Sequence, residues 1–210
     1  MNARHFGVIA LVAVSAIMSI YFYEQLPERV ASHWNAHGEV NGYMPRFWGA
    51  FLMPLVLLAM AALLFFIPRV DPLRANIEKF RKQYETYILV ITLFMLAIHV
   101  QTLLWNVGVA IPFNFTMPLG IGLLFYYIGV LLTHAKRNWF IGIRTPWTLS
   151  SERVWDETHK LGAKLFKVAG IIAIAGVLFP AYAFSFVIVP VLAATLIVVI
   201  YSYTLFRKGK

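Results

Sequence analysis

Three groups of residues in this chain have the types and spacing to do chemistry. The first is His33, His37 and Glu39, within the stretch Leu26–Arg46. On a helix, His33 and His37 would share a face at i, i+4, a spacing that suits zinc. A zinc-protease pattern needs Glu directly after the first His, and Trp34 stands there instead. Asn35, Gly38, Asn41 and Gly42 are turn formers and favour a compact, hydrogen-bonded loop. With Trp34 and Asn35 beside the histidines, that loop has the mixed aromatic and polar character of a recognition surface.

The second group is Thr92, His99, Thr102 and Asn106. Intervals of seven, three and four put them on one helical face, inside a long apolar run. Ionisable groups at membrane depth face the bundle interior. One reading is a proton or ligand path centred on His99. The other is interhelical glue, each bond contributing about 0.6 kcal/mol. Glue suits a lone His with Thr and Asn neighbours better, because a pump carries Asp or Glu in its spans and none falls in the spans read below.

The third group is Asn138, Trp139, Arg144, Thr145, Trp147, Trp155 and His159, in an insert that is polar, aromatic and basic. Thr145-Pro-Trp-Thr reads as a turn, with Pro146 fixing φ. Ser150 reads as the N-cap of a following helix, with Glu152 in its first turn. Trp155, His159, Gly162 and Phe166 then form one stripe, and Arg153, Lys160, Lys164 and Lys167 a basic one beside it. Asp156 and Lys160 are spaced for an i, i+4 pair. Such a helix could grip phospholipid headgroups or dock a cytoplasmic partner. No catalytic residue is assigned. The chain reads as a binding protein rather than an enzyme.

The elements that must position these groups are membrane spans. Of 210 residues, 60% are hydrophobic and 13% charged, and mean hydropathy is +0.74. Soluble domains are about 45–50% apolar and about 25% charged, so the bilayer is the solvent here. One membrane domain fills residues 1–210, with an extracytoplasmic loop motif at 24–46 and a cytoplasmic loop and helix at 136–163. Six apolar segments qualify as spans, near 6–23, 47–67, 86–109, 115–133, 165–180 and 186–206; the fifth is short. The first continues past its small-residue segment, so it is an uncleaved span rather than a signal peptide. The expected fold is an all-α bundle of six transmembrane helices.

The net charge of +9 invites a nucleic-acid reading, but topology accounts for it. With sides alternating, 16 of the 18 Lys and Arg residues fall on one side. The positive-inside bias makes that side cytoplasmic, both termini included, in a cell membrane. No direct nucleic-acid contact is expected. There is no cysteine, hence no disulfide or thiolate metal site, and zinc at His33 and His37 is the one cofactor considered. Gly122, Gly129, Gly170, Ala173 and Gly176 are small enough to let helices approach closely. His33-Trp-Asn-x-x-Gly, with Pro45 and Trp48, is weakly echoed by Asn138-Trp-x-x-Gly142, with Pro146 and Trp147. A 3+3 inverted repeat would leave such an echo, and so would chance at membrane interfaces.

The run Asn138-Trp-Phe-Ile-Gly-Ile-Arg-Thr-Pro-Trp-Thr-Leu-Ser150, followed by Val154-Trp155 and Thr158-His159, strongly resembles the signature of the SdpI family of membrane proteins. Leu26-Pro27, His33-Trp34-Asn35, Gly38 and Gly42 are similar to a small domain of unknown function that often precedes it. The resemblance implies immunity against a secreted antimicrobial peptide toxin, combined with signalling by holding a small winged-helix repressor at the membrane. On that reading His33, Trp34, Asn35, His37 and Glu39 meet a peptide outside, and the third group docks the repressor inside. The alternatives are an enzyme or transporter built on His99 or a His33/His37 metal site, and a structural membrane protein without a dedicated ligand.

Overall fold

The structure is a computed structural model that describes residues 2–209. Its helices are α1 (Ala3–Phe22), α2 (Arg46–Val70), α3 (Arg74–Glu78), α4 (Arg81–Asn106), α5 (Phe113–His134), α6 (Pro146–Ser150), α7 (Glu152–Ala175) and α8 (Ala183–Arg207). Strands β1 (Arg29–Trp34) and β2 (Val40–Pro45) form an antiparallel hairpin between α1 and α2. Six of the helices, all but α3 and α6, are long and apolar enough to cross a membrane. At 1.5 Å per residue even the 20-residue α1 reaches about 30 Å, the hydrocarbon thickness. The chain is an all-α, multi-pass membrane protein.

The six helices pack as two groups of three. In one, α1 packs on α4 and α2; in the other, α7 packs on α5 and α8; α4 and α5 form the main joint between them. The α5–α7 contact is backbone on backbone. A Cβ at Gly122 would lie 2.6 Å from the Gly170 carbonyl oxygen, and one at Gly129 would lie 2.7 Å from that of Ala163. The expected packing role of these glycines is what the structure has.

Hydrogen bonds gather the connections at two opposite ends. At one, Asn106 holds Ala31, Gln101 donates to the Ile111 carbonyl and Asn114 to that of Pro180. At the other, Asn2 donates to Glu85, Asn76 to the Arg137 carbonyl and Arg153 to that of Leu205. We call these the hairpin end and the signature end.

Four expectations need correction. Residues 29–45 are not a loop but a hairpin, because Val30 and Ala31 bury inward while Asn35 organises the turn: its Oδ1 accepts the N–H of His37 and of Glu39. The fifth span is not short. It is the upper part of one 24-residue helix beginning at Glu152, since the polar turns before it are also helical. That helix is capped by Ser151, whose hydroxyl accepts the Val154 N–H, while Ser150 ends α6. Finally, α4 starts before the apolar run, so Glu85 lies within it. Only 4% exposed, its carboxylate is held by Asn2 at 2.6 Å and Arg81 at 3.1 Å, with Arg4 at 3.7 Å and His5 at 3.4 Å.

Candidate functional site at the hairpin end

A cavity of about 480 Å³ lies under the hairpin, lined from β1, β2, α2, α4, α5 and α8. It therefore sits between the two three-helix groups, where bundles commonly keep ligands, and is of ligand-site size. Both α2 and α8 contribute to its walls. Its lining is apolar with a few polar groups, and includes Met44, Met53, Met95 and Met117, four of the seven methionines. Unbranched thioether side chains adapt to irregular ligands.

Trp34 forms the polar rim. Its indole stacks on Phe113 with centroids 4.0 Å apart and meets Trp105 edge-on at 5.6 Å. Its Nε1–H is buried and has no hydrogen-bond partner. Leaving a buried donor unpaired costs about 1–3 kcal/mol, and Arg137 Nε and Thr158 Oγ1 are in the same position elsewhere in the bundle.

His99 reaches the cavity from α4 and is 1% exposed. Its Nε2 lies 2.9 Å from the Ser19 hydroxyl. That hydroxyl has a single proton and two carbonyls within reach, Ala50 at 2.6 Å and Ser15 at 3.1 Å. Its proton goes to a carbonyl, so His99 Nε2 is the donor and the ring is the Nε2–H tautomer. The Nδ1 lone pair is the acceptor left over. Thr102 also lines the cavity. Asn106 instead clamps Ala31, and Thr92 donates to the Ile88 carbonyl at 2.7 Å, so the second group divides between site and glue.

The hairpin histidines do not share a helical face, because one is on a strand and the other in the turn. His33 Nδ1 pairs with the Asn41 amide oxygen, and Glu39 accepts from the Asn35 side chain. Among the described residues no group of three or more His, Asp or Glu side chains could hold a metal. His33, Trp34 and Asn35 line the cavity rim; His37 and Glu39 lie outside it, on the exposed turn.

At the signature end the motif is largely self-satisfying. Asn138, fully buried, accepts from the N–H of Phe140 and Ile141 and donates to the carbonyls of Lys136 and Ile141. Asp71 accepts the Trp139 N–H. Thr145 caps α6 through Thr148. Trp155 donates to the Ala135 carbonyl and stacks on His159 at 4.0 Å. His159 donates from Nδ1 to the Trp155 carbonyl and accepts the Ile143 N–H on Nε2. Asp156 pairs with Lys136 at 3.8 Å rather than with Lys160. What remains open is a rim of Trp139, Phe140, Arg144 and Trp147, with Trp139 52% exposed.

Ser19, Phe113 and Asn114 belong to the site, and none was singled out from the sequence. Ser19 alone carried a signal, a hydroxyl within an apolar span.

Residues 134–203 match the SdpI/YfhL protein family, and residues 10–58 match a domain of unknown function, DUF1648. The chain is 29% identical over 201 residues to "Immunity protein SdpI" of Bacillus subtilis (strain 168), covering 95% of this chain and 94% of that protein. No solved structure matches.

Proposed function

We propose that the chain, whose residues 134–203 match the SdpI/YfhL protein family, is a membrane immunity receptor. It protects its cell against a secreted antimicrobial peptide toxin, met at the hairpin end, and signals by sequestering a small cytoplasmic repressor at the signature end. The observation that carries this reading is the end-to-end similarity to an immunity protein, 29% identity over 95% of the chain. The charge distribution supports the orientation, since Arg29 and Arg46 are the two basic residues at the hairpin end and the other 16 of 18 belong to the opposite side. The division into a cavity-bearing end and a folded end with an exposed aromatic rim supports two separate partners.

The test is survival. A sensitive bacterium expressing the chain, challenged with spent medium of the chain's own host strain, is expected to outlive the same bacterium with an empty vector. Equal killing of both, with deletion in the host leaving the host no more sensitive, overturns the proposal. A second reading, a ligand path through the bundle, is favoured by one observation: His99 lines a cavity between the two three-helix groups.

A further inference from the structure

The hairpin is held to the bundle differently at its two ends. Its root is fixed. Val30 is fully buried against Gly49 of α2, where an added Cβ would overlap it, and Ala31 is clamped by Asn106 of α4. Beyond Ala31 the attachment changes. Among the described residues, no hydrogen bond or ion pair joins residues 32–44 to a helix: the bonds of His33, Asn35, His37 and Glu39 all end within the hairpin. What holds this part down is Trp34, stacked on Phe113 and edge-on to Trp105, together with the close approach of Gly38 to Asn114. Phe113 and Asn114 begin α5, in the other three-helix group, so the hairpin spans the joint. The strand register breaks between Ala31 and His33, and Gly42 is the partner of His33. That break lies where the fixed root meets the stacked tip. Ser32, His33, Trp34, Asn35 and Ala36 line the cavity, so the tip is its cover.

We propose that residues 32–44 are a hinged flap that opens and closes the cavity to water, bending at Ser32 and Gly42 and latched by Trp34 on α5. A segment with no hydrogen bonds to the core belongs to the least stable part of a fold. An irregularity in a two-stranded ladder leaves backbone unpaired there, and a glycine on the opposite strand adds backbone freedom, so bending at that point disrupts few bonds. Stacked rings part without leaving a hydrogen bond unmade. A rigid root, a few residues that absorb the turn and a light latch are the parts of a lid that gates a site. The inference concerns access to the cavity, whatever occupies it, and does not require the immunity reading.

The chain has no cysteine, so introduced thiols report without background. Met95→Cys places one in the cavity lining. The experiment follows its modification by a charged, water-soluble methanethiosulfonate, using the full chain in detergent micelles and reading the adduct at position 95 by mass spectrometry. A reversible lock is added with Gly38→Cys and Asn114→Cys. A Cβ at Gly38 would lie 3.1 Å from the Asn114 Cγ, the place a sulfur would take, which is close enough for a disulfide. Labelling is expected in the unlocked chain, slowed about tenfold or more when the lock is oxidised and restored when it is reduced. Equal rates in the locked and unlocked chains overturn the proposal, because water then reaches the cavity by another route. So does an unlocked chain that is never labelled, because the flap then stays shut. Gly38 has φ +79, so a cysteine there strains the turn, and a second variant leaves the turn intact. Trp34→Leu beside Met95→Cys keeps an apolar side chain over the cavity and loses the stack, and is expected to speed labelling about tenfold. An unchanged rate in that variant overturns Trp34 as the latch.

Discussion

Asn106 grips Ala31 with both atoms of its amide. Its Oδ1 accepts the Ala31 N–H at 2.7 Å and its Nδ2 donates to the Ala31 carbonyl at 3.0 Å, across 75 residues of sequence. One side chain on α4 thus stands in for a neighbouring strand and sets the hairpin over the cavity. Asn106→Ala leaves two buried backbone groups without partners, and a loss of about 2–4 kcal/mol is expected. Thermal unfolding in detergent measures it, and hydrogen exchange in the hairpin peptide should rise in step. Unchanged exchange there would mean that the clamp does not hold the hairpin.

Two glycines with left-handed backbone separate strain from contact. Gly108 has φ +94 and open space around a would-be Cβ, while Gly142 has φ +113 and a Cβ there would overlap His159. Gly108→Ala should cost about 1–2 kcal/mol, the strain alone. Gly142→Ala should cost about 1–3 kcal/mol more, because it also displaces the imidazole that accepts the Ile143 N–H. Equal melting temperatures for the two variants would remove His159 from its structural role.

The spans were legible because about 20 apolar residues in a row have few alternatives. The Trp155, His159, Gly162, Phe166 stripe is buried as its spacing requires. The hairpin was not legible: its pairing joins Ala31 to Tyr43 and has irregular register near His33, so no clean alternation marks it. Glu85 escaped notice because hydropathy locates the apolar part of a helix and not its polar first turns. The cavity was invisible for a different reason. Met53, Met95 and Val187 are apolar side chains from three separate helices, and no local pattern distinguishes them from side chains that face lipid.

The α5–α7 interface predicts a graded series. At Gly122 and Gly170 an added methyl meets backbone, which cannot turn aside; at Gly120 it meets the Phe94 ring, which can. Gly122→Ala and Gly170→Ala should each cost about 1–3 kcal/mol, and Gly120→Ala distinctly less. Chemical denaturation in mixed micelles ranks the three. The reverse order would contradict the backbone contact.

His99→Ala distinguishes activity from scaffold. Ser19 keeps a carbonyl for its proton when the imidazole is gone, so the helices stay bonded and the loss is near one interhelical hydrogen bond, about 0.6 kcal/mol. Protection in the survival assay is nevertheless expected to fall, because the variant removes the acceptor at the cavity wall. Full protection by folded His99→Ala protein would detach the cavity from the immunity reading.

The signature end supplies the last contrast. Trp155 is fully buried, donates to the Ala135 carbonyl at 2.9 Å and stacks on His159; Trp155→Ala should cost about 3–5 kcal/mol of stability. Trp139 is 52% exposed, and its backbone N–H, not its indole, is what Asp71 holds at 2.9 Å. Trp139→Ala should therefore change stability by no more than about 0.5 kcal/mol. If the rim docks a repressor, an exposed indole beside Arg144 has the chemistry of an interface anchor, and its loss should weaken retention by about 2 kcal/mol, roughly thirtyfold. The measurement is the fraction of a candidate small winged-helix repressor, co-expressed with the chain, that sediments with membranes carrying each variant. Stability lost at Trp155 and retention lost at Trp139 is the expected split. Retention unchanged in Trp139→Ala, with the protein folded, would move the docking surface away from this rim.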